Sequence, residues 1–265
     1  MKKRKRANKR GDFYKKKKIV SEESTVIKDD PIRLNRFIAK SGICSRREAD
    51  KLIANGKIRV NSKVITEMGY KVMRHDNITY GKTKLDPQDY VYVLLNKPKD
   101  FITTMDDPQR RRTVMDLVKL PGDQRIYPVG RLDRNTTGLL LLTNDGDLTK
   151  KLTHPSHKVA KVYHIVLNKP LLNTDLIRIR SGLELEDGIA QIDKIEVIST
   201  GRKEIGLEIH IGKNRIVRRI FEQLGYEIVK LDRVYYAGLT KKDIPRGKWR
   251  FLAEREEIRL KHFIK

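Results

Sequence analysis

The stretch Pro128-Val129-Gly130-Arg131-Leu132-Asp133-Arg134-Asn135-Thr136-Thr137-Gly138 is the most chemically loaded part of the chain. A polar loop bounded by glycines feeds the apolar run Leu139–Leu142. Asp133 stands between Arg131 and Arg134, and nearby cations favour the charged form of a carboxylate. The same residue also fits a turn aspartate that caps its own loop. Two other constellations invite chemistry. His154 and His157 frame Pro155-Ser156 at metal-like spacing, but no cysteine is near and the site falls at a helix end, so a turn is expected and no metal site. Asp145-Gly146-Asp147 could supply a second carboxylate for glycoside hydrolysis. Asn144-Asp145-Gly146 is first a turn signal, however, and Asp147 suits the start of the following helix.

Apolar strands must carry these loops. Candidates are Tyr90–Leu95, Gly138–Thr143, Val159–Leu167, Ala190–Ile198 and Glu204–Ile211, with helices near 112–118, 145–152 and 172–181. After Asn214, apolar residues fall at Ile216, Val217, Ile220, Phe221 and Leu224, a helical stripe stopped by Gly225. Arg215, Arg218, Arg219 and Glu222 take the other side. No regular strand–helix–strand repeat is visible, so the class is α+β. Trp249 is assigned to core or sheet-edge packing.

Upstream, Asp30 and Pro31 read as the start of a helix with Ile32, Leu34, Phe37 and Ile38 on its apolar side and Gly42 as its stop. Ser45 and Glu48 have capping-box spacing for a second helix ending at Asn55-Gly56. Lys57–Val60 and Lys63–Ile65 alternate around Asn61-Ser62 as a hairpin. Residues 31–80 thus form a small two-helix and β-hairpin module. Arg33, Arg36, Lys40, Arg46, Arg47 and Lys51 lie mostly off its apolar faces and suit phosphate binding. Residues 81–88 read as a linker, and 89–265 as the second domain, a mixed and mainly antiparallel sheet with flanking helices.

The chain of 265 residues has a formal net charge of +25, which points to a polyanionic partner, nucleic acid above all. Residues 1–18 hold eleven Lys or Arg and one acid, Asp12, and read as a disordered basic arm followed by a polar linker to residue 30. No run is long and apolar enough to span a membrane, so no membrane partner is expected. The polycationic N-terminus has no apolar segment behind it, so it is not a secretory signal. Cys44, the single cysteine, cannot form an intramolecular disulfide or a thiolate cluster, which fits a reducing cytoplasm. No glycine-rich phosphate loop signals ATP or NAD.

Gly130-Arg131-Leu132-Asp133, with Thr137-Gly138-Leu139-Leu140-Leu141-Leu142-Thr143-Asn144-Asp145-Gly146, resembles the signature of the RsuA/RluB-type ribosomal RNA pseudouridine synthases. The resemblance continues in Asn96-Lys97-Pro98, Lys161-Val162-Tyr163, Gly212–Arg219, Arg233–Gly238 and Gly247–Arg250, covering about residues 31–260. The N-terminal module looks like the RNA-binding fold shared with a small-subunit ribosomal protein. Many family members carry Gln where this chain has Ile216. The resemblance implies isomerisation of a uridine in ribosomal RNA to pseudouridine, without cofactor. It assigns the chemistry to Asp133, and carboxylates do act as nucleophiles at sugar carbons. Arg218 matches the active-site arginine expected to pair with Asp133, and Tyr163 the tyrosine that packs against the base. Arg131 is expected at RNA phosphate or ordering the loop, and Lys97 near the site or on the RNA backbone.

The leading expectation is a cytoplasmic, monomeric enzyme acting on ribosomal RNA or a pre-ribosomal subunit, with large-subunit (23S) RNA favoured over small-subunit (16S) RNA. The favoured substrate rests on the Leu-Leu-Leu-Leu-Thr-Asn-Asp-Gly and Leu185-Glu186-Asp187-Gly188 strings. A non-catalytic RNA-binding assembly factor is the alternative, and an RNA hydrolase using Asp133 with Asp145 or Asp147 a third class. Deleting residues 1–18 should weaken RNA binding most at low salt and flatten its salt dependence, because up to eleven phosphate-pairing charges are lost. An unchanged salt slope in a filter-binding titration would make the arm a mere tail.

Overall fold

The computed structural model describes residues 30–262; the basic arm 1–18 and the segment 19–29 lie outside the described residues. The chain divides into two compact units. The first takes the residues up to Phe37 and Arg46–Leu85, the second Ile38–Ser45 and the residues from Asp86 onward.

The elements up to Lys84 are β1 (Ile32–Arg33), α1 (Leu34–Lys40), α2 (Arg46–Ala54), β2 (Ile58–Val60), β3 (Lys63–Val64), β4 (Lys71–Val72), β5 (Ile78–Tyr80) and β6 (Thr83–Lys84). The hairpin β2–β3 turns through Asn61 and Ser62, both with positive φ, as a two-residue connection requires. It belongs to a four-stranded sheet ordered β3-β2-β5-β6. Two expectations change here. The first helix begins at Leu34, because Ile32 and Arg33 pair with Val72 and Lys71 and so leave the helical register. Thr83–Lys84, placed in the linker, is a strand paired with Thr79 and Tyr80, and Leu85 is buried behind it. Ala49, Ile53, Ile58, Val60 and Ile78 are also buried, whereas Arg33, Arg46, Arg47 and Lys51 are exposed and Arg36 is half-buried.

From Asp86 the chain forms β7 (Tyr92–Lys97), β8 (Tyr127–Pro128), β9 (Thr137–Thr143), α3 (Gly146–Thr153), β10 (Lys161–Leu167), α4 (Asn173–Ser181), β11 (Leu183–Leu185) and β12 (Gly188–Ala190). It continues through β13 (Lys194–Val197), β14 (Glu204–Ile209), α5 (Ile216–Gln223), β15 (Ile228–Tyr236), β16 (Leu239–Thr240), β17 (Trp249–Phe251) and α6 (Glu254–His262). The main sheet runs β13-β14-β10-β15-β9-β7-β17, with β16 on β15 and β8 on β9. Every pairing is antiparallel except β9 with β15. The result is the α+β, mainly antiparallel sheet expected.

The four leucines of β9 explain its central place. Leu140 and Leu142 enter one core with Val93, Leu95 and the α5 residues Ile216, Val217, Ile220 and Phe221. Leu139 and Leu141 enter the other with Tyr92, Leu94, Leu148, Leu152 and Leu260. A strand apolar on both faces requires cover on both, and α4 with α5 and α3 with α6 supply it. The expected helix at 112–118 is a single 3-10 turn, Val114–Asp116, and the expected strand at 190–198 splits between β12 and β13. Trp249 lies on the edge strand β17, its ring against Phe251.

The parallel step from β9 to β15 dictates one glycine. Gly138 has φ +106°, and a Cβ there would collide with the Arg233 backbone and the Asp232 carboxylate. Asp232 is buried, and Arg246 (3.1 and 3.0 Å), the Lys241 ammonium and the Thr137 hydroxyl (3.0 Å) surround it. Burial raises its carboxyl, but Arg246 and Lys241 outweigh that and hold it below the usual carboxylate range. Gly138→Ala should therefore cost on the order of 3 kcal/mol or more, or abolish folding. Gly238→Ala, also at positive φ but with nothing within 4 Å, should cost only about 1–2 kcal/mol in the same urea titration. Equal losses would refute the steric account.

Candidate active site

Strand β7 ends at Lys97, opposite Gly138 at the start of β9. The loop that enters β9 therefore passes directly over the Lys97 side chain. Lys97 is 0% exposed, and its ammonium donates toward the carbonyls of Pro98 (3.1 Å), Asp133 (3.1 Å), Arg134 (3.2 Å) and Thr136 (2.8 Å). Lys97 was expected near the site or on the RNA backbone. It is near the site, but its charge is spent inside the protein and no RNA phosphate can reach it.

Further bonds hold the loop from outside. The Thr103 hydroxyl donates to the Leu132 carbonyl (2.8 Å) and accepts from its amide (3.2 Å). The Asp100 amide donates to Arg134 O (3.0 Å), and the Thr136 amide closes a turn on Asp133 O (3.1 Å). Leu132 is buried as an anchor. The backbone makes this turn, so the Asp133 carboxylate is not consumed in capping it. That carboxylate is 40% exposed, has no hydrogen bond among the described residues, and faces a cleft of about 690 Å³.

The cleft collects Asp133, Tyr163, Arg218 and Arg131. Tyr163 sits on β10 between Leu207 and Arg233 and is 8% exposed, with Ile216, Leu231 and Ile209 as further apolar wall. Ile216 is buried and joins this wall to the core. Arg131 is exposed at the rim. Arg218 does not form the expected ion pair with Asp133. Its Nη1 donates to Ile228 O (3.3 Å), and its Nε is buried without a partner among the described residues. Burial, then the charge of Arg215, lower its pKa, while Asp133 acts in the opposite direction. The cation nearest to Asp133 is Arg215, 4.0 Å away, at the left-handed residue (φ 45°) that opens α5.

Other carboxylates are committed elsewhere. Asp145 caps α3 through the amides of Asp147 and Leu148 and accepts from the Tyr92 hydroxyl (2.8 Å). Neither Asp145 nor Asp147 lines the cleft, so the hydrolase pairing of Asp133 with either is not formed. Asp107 is held at about 2 by the Arg111 guanidinium beside it. Asp187, in the Leu185–Gly188 string, binds Arg219 with two bonds of 2.9 Å and braces α5. His154 accepts from the Ser156 amide as a turn residue, and no metal-binding cluster occurs among the described residues. Arg215, Lys161 and Arg233 also line the cleft. Each had been visible only as a member of a motif or a polar helix side; nothing in their spacing announced the placement.

Burial pushes the Lys97 ammonium down to about 8, with Asp133 and Asp100 pulling the other way, and burial lowers Lys161 likewise. Between about pH 8 and the ordinary lysine value the unfolded chain binds more protons than the folded one. Stability must then rise with pH across that window. Urea titrations from pH 8 to about 9.5 should show it, and Lys97→Met should remove roughly half of the slope. The same variant should lose about 2–3 kcal/mol at pH 7, because the loop carbonyls are left without donors.

Comparison with known proteins agrees with this geometry. Residues 91–223 match the family model described as RNA pseudouridylate synthase, and residues 32–78 match the S4 domain. Ribosomal large subunit pseudouridine synthase B of Bacillus subtilis is 42% identical over 235 residues, covering 86% of this chain and 95% of that one. The dual-specificity RNA pseudouridine synthase RluF of Escherichia coli is 33% identical, covering 89% and 80%. A crystal structure of a pseudouridylate synthase superposes with a TM-score of 0.62 at 26% identity, covering 86% of this chain and 99% of the other. With a catalytic-domain match spanning the loaded loop and an RNA-binding module ahead of it, the chain belongs to the S4-domain-bearing RNA pseudouridine synthases.

Proposed function

We propose that this protein isomerises a uridine of large-subunit ribosomal RNA, with Asp133 as its catalytic carboxylate. The observation that carries the assignment is the Asp133 carboxylate itself. It faces the cleft without a hydrogen bond, on a loop whose backbone is fixed by a buried ammonium. The substrate class follows the printed name of the Bacillus subtilis relative, which refers to the large subunit. Small-subunit RNA is the runner-up.

The reaction moves one bond. The N1–C1′ bond breaks, the uracil turns, and C5 bonds to C1′. The C5 proton then leaves to water while N1 takes one up, so atoms balance and no redox step arises. Asp133 meets the sugar as the glycosidic bond breaks, where a carboxylate can form a covalent bond or remove a proton. The departing base carries electron density, and Arg218 and Arg215 supply positive charge close by. Tyr163 and its apolar neighbours give the loose base a flat, dry wall, which stacking uses without fixing one hydrogen-bond pattern. The uridine must first leave its stack, at a cost of a few kcal/mol that is least in loops and bulges. Exposed Arg33, Arg46, Arg47 and Lys51 of the S4 domain, with half-buried Arg36 beside them, would anchor neighbouring phosphates, and Arg131 those at the cleft. The enzyme works as a monomer in the cytoplasm on this reading; no described helix is long and apolar enough to cross a membrane.

Ribosomal RNA transcripts tritiated at C5 of uracil test the assignment. Wild type should release label to water. Asp133→Asn should release at least about a thousandfold less, while binding RNA within a few-fold. A variant that keeps a near-normal rate removes Asp133 from the chemistry. No release by wild type, on naked RNA or on subunits, returns the weight to a binding factor.

A further inference from the structure

Four buried side-chain polar atoms lack a hydrogen-bond partner among the described residues, and three of them belong to residues lining the Asp133 cleft: Thr136 Oγ1, Arg218 Nε and Arg233 Nη2. Arg218 and Asp133 belong to the chemistry already described. Arg233 does not. It is 3% exposed, its Nε donates to Leu139 O (2.8 Å), and its guanidinium carbon lies 4.5 Å from the Tyr236 ring centroid. The Nη2 group remains unspent, and no carboxylate is within ion-pair distance among the described residues.

Lys161 lines the same wall from the neighbouring strand. Its ammonium donates to His210 O (2.6 Å) and keeps further donors free. Asp193 is the acid that Lys161 feels, and it is already bonded to the His210 ring at 2.7 Å. Burial, and after it the charge of Arg233, bring the Lys161 ammonium down to about 8. Two cations thus line one cleft beside each other, and among the described residues neither has a carboxylate within ion-pair distance. Such a pair is costly in the empty protein and is relieved by an anion.

The surroundings select the anion. Tyr163 packs in the core on one face of the sheet, whereas Tyr236, Val129 and Leu152 pack on the other. Arg233 lies against Tyr236, and its backbone pairs with Tyr163, so it borders the wall assigned to the base. Gly130 borders this part of the cleft with φ +71°, and a Cβ there would find nothing nearer than Thr153 at 3.8 Å. The wall is therefore low enough for a polymer backbone to approach, with exposed Arg131 next to it. We propose that Lys161 and Arg233 form a phosphodiester subsite that seats a phosphate flanking the target uridine, beside the wall that holds the base. This rests on the RNA isomerase reading and adds a positioning role to it: fixing that phosphate sets the depth at which C1′ meets Asp133.

The test measures binding apart from turnover. The probe is a transcript carrying the uridine mapped by tritium release, titrated against Asp133→Asn at several salt concentrations. Adding Lys161→Gln should raise Kd about tenfold and flatten the log–log salt slope by about one. Arg233→Lys keeps the charge but loses the fork, so it should keep the slope and still weaken binding. Replacing the flanking phosphates one at a time by neutral methylphosphonate should weaken wild-type binding at one position. At that position Lys161→Gln should add no further loss. In active protein, Lys161→Gln should act on KM more than on kcat. An unchanged Kd and slope, or additive losses at every methylphosphonate, would overturn the subsite. So would a fall in kcat with Kd unchanged, which would assign the pair to the departing base. Turnover retained by Asp133→Asn would instead break the catalytic assignment, an outcome that the Kd comparison does not share.

Discussion

A buried ammonium organises the catalytic end of this protein. Lys97 terminates a strand that is buried along its whole length, and among the described residues its charge has no carboxylate partner within the ion-pair limit. It is compensated by carbonyl oxygens, and those oxygens belong to the loop carrying Asp133. The loop cannot relax without exposing an uncompensated cation to the core, a penalty of several kcal/mol. The geometry of the loop is thereby tied to the folding of the sheet. A carboxylate on a surface loop acquires the fixed position of a core residue while its side chain stays open to the cleft.

The sheet around it is built to tolerate this polar interior. Strand β9 fills both cores with alternate leucines, so its position is over-determined by packing. Its first residues, however, run beside the buried carboxylate of Asp232, which Arg246, Lys241 and Thr137 pair from the solvent side. Arg246 also reaches Asn96 Oδ1 (2.7 Å) and the Lys97 carbonyl (3.3 Å). The two polar clusters are thus contiguous, and together they link the end of β7, the start of β9 and the middle of β15. Buried polar groups that are fully satisfied specify one arrangement strongly. In the cleft the rule reverses: polar atoms of Thr136, Arg218 and Arg233 without a partner among the described residues gather along its lining.

The basic character of the chain has the same division. Arg33, Arg47 and Lys51 of the S4 domain are exposed, while several arginines of the catalytic unit are already engaged. Arg219 braces α5 through Asp187, Arg250 holds Glu256, and Arg111 holds Asp107. Net charge identifies a nucleic-acid partner, but it does not say which cations face it.

The apolar run Leu139–Leu142, the helical stripe from Ile216 to Leu224 and the Asn61-Ser62 hairpin were legible in the sequence, because local periodicity and turn chemistry report directly on them. The loop motif, read with its companions, also gave the family and drew Asp133, Tyr163 and Arg218 toward one place, and the cleft unites them. Strand β15 was not legible: Lys230, Asp232 and Arg233 interrupt its apolar pattern, and only partners distant in sequence make the burial of Asp232 and Arg233 tolerable. Ile32–Arg33 likewise looked helical until Lys71–Val72 took its backbone bonds. The sequence by itself determined the elements, the charge and the chemistry available to each residue. Tertiary structure alone decided that Lys97 is a scaffold and not an RNA contact, that Arg215 stands nearer to Asp133 than Arg218 does, and that Lys161 and Arg233 share one wall. A side chain's type fixes what it can donate, but its partners are set by strands that meet only when the sheet closes.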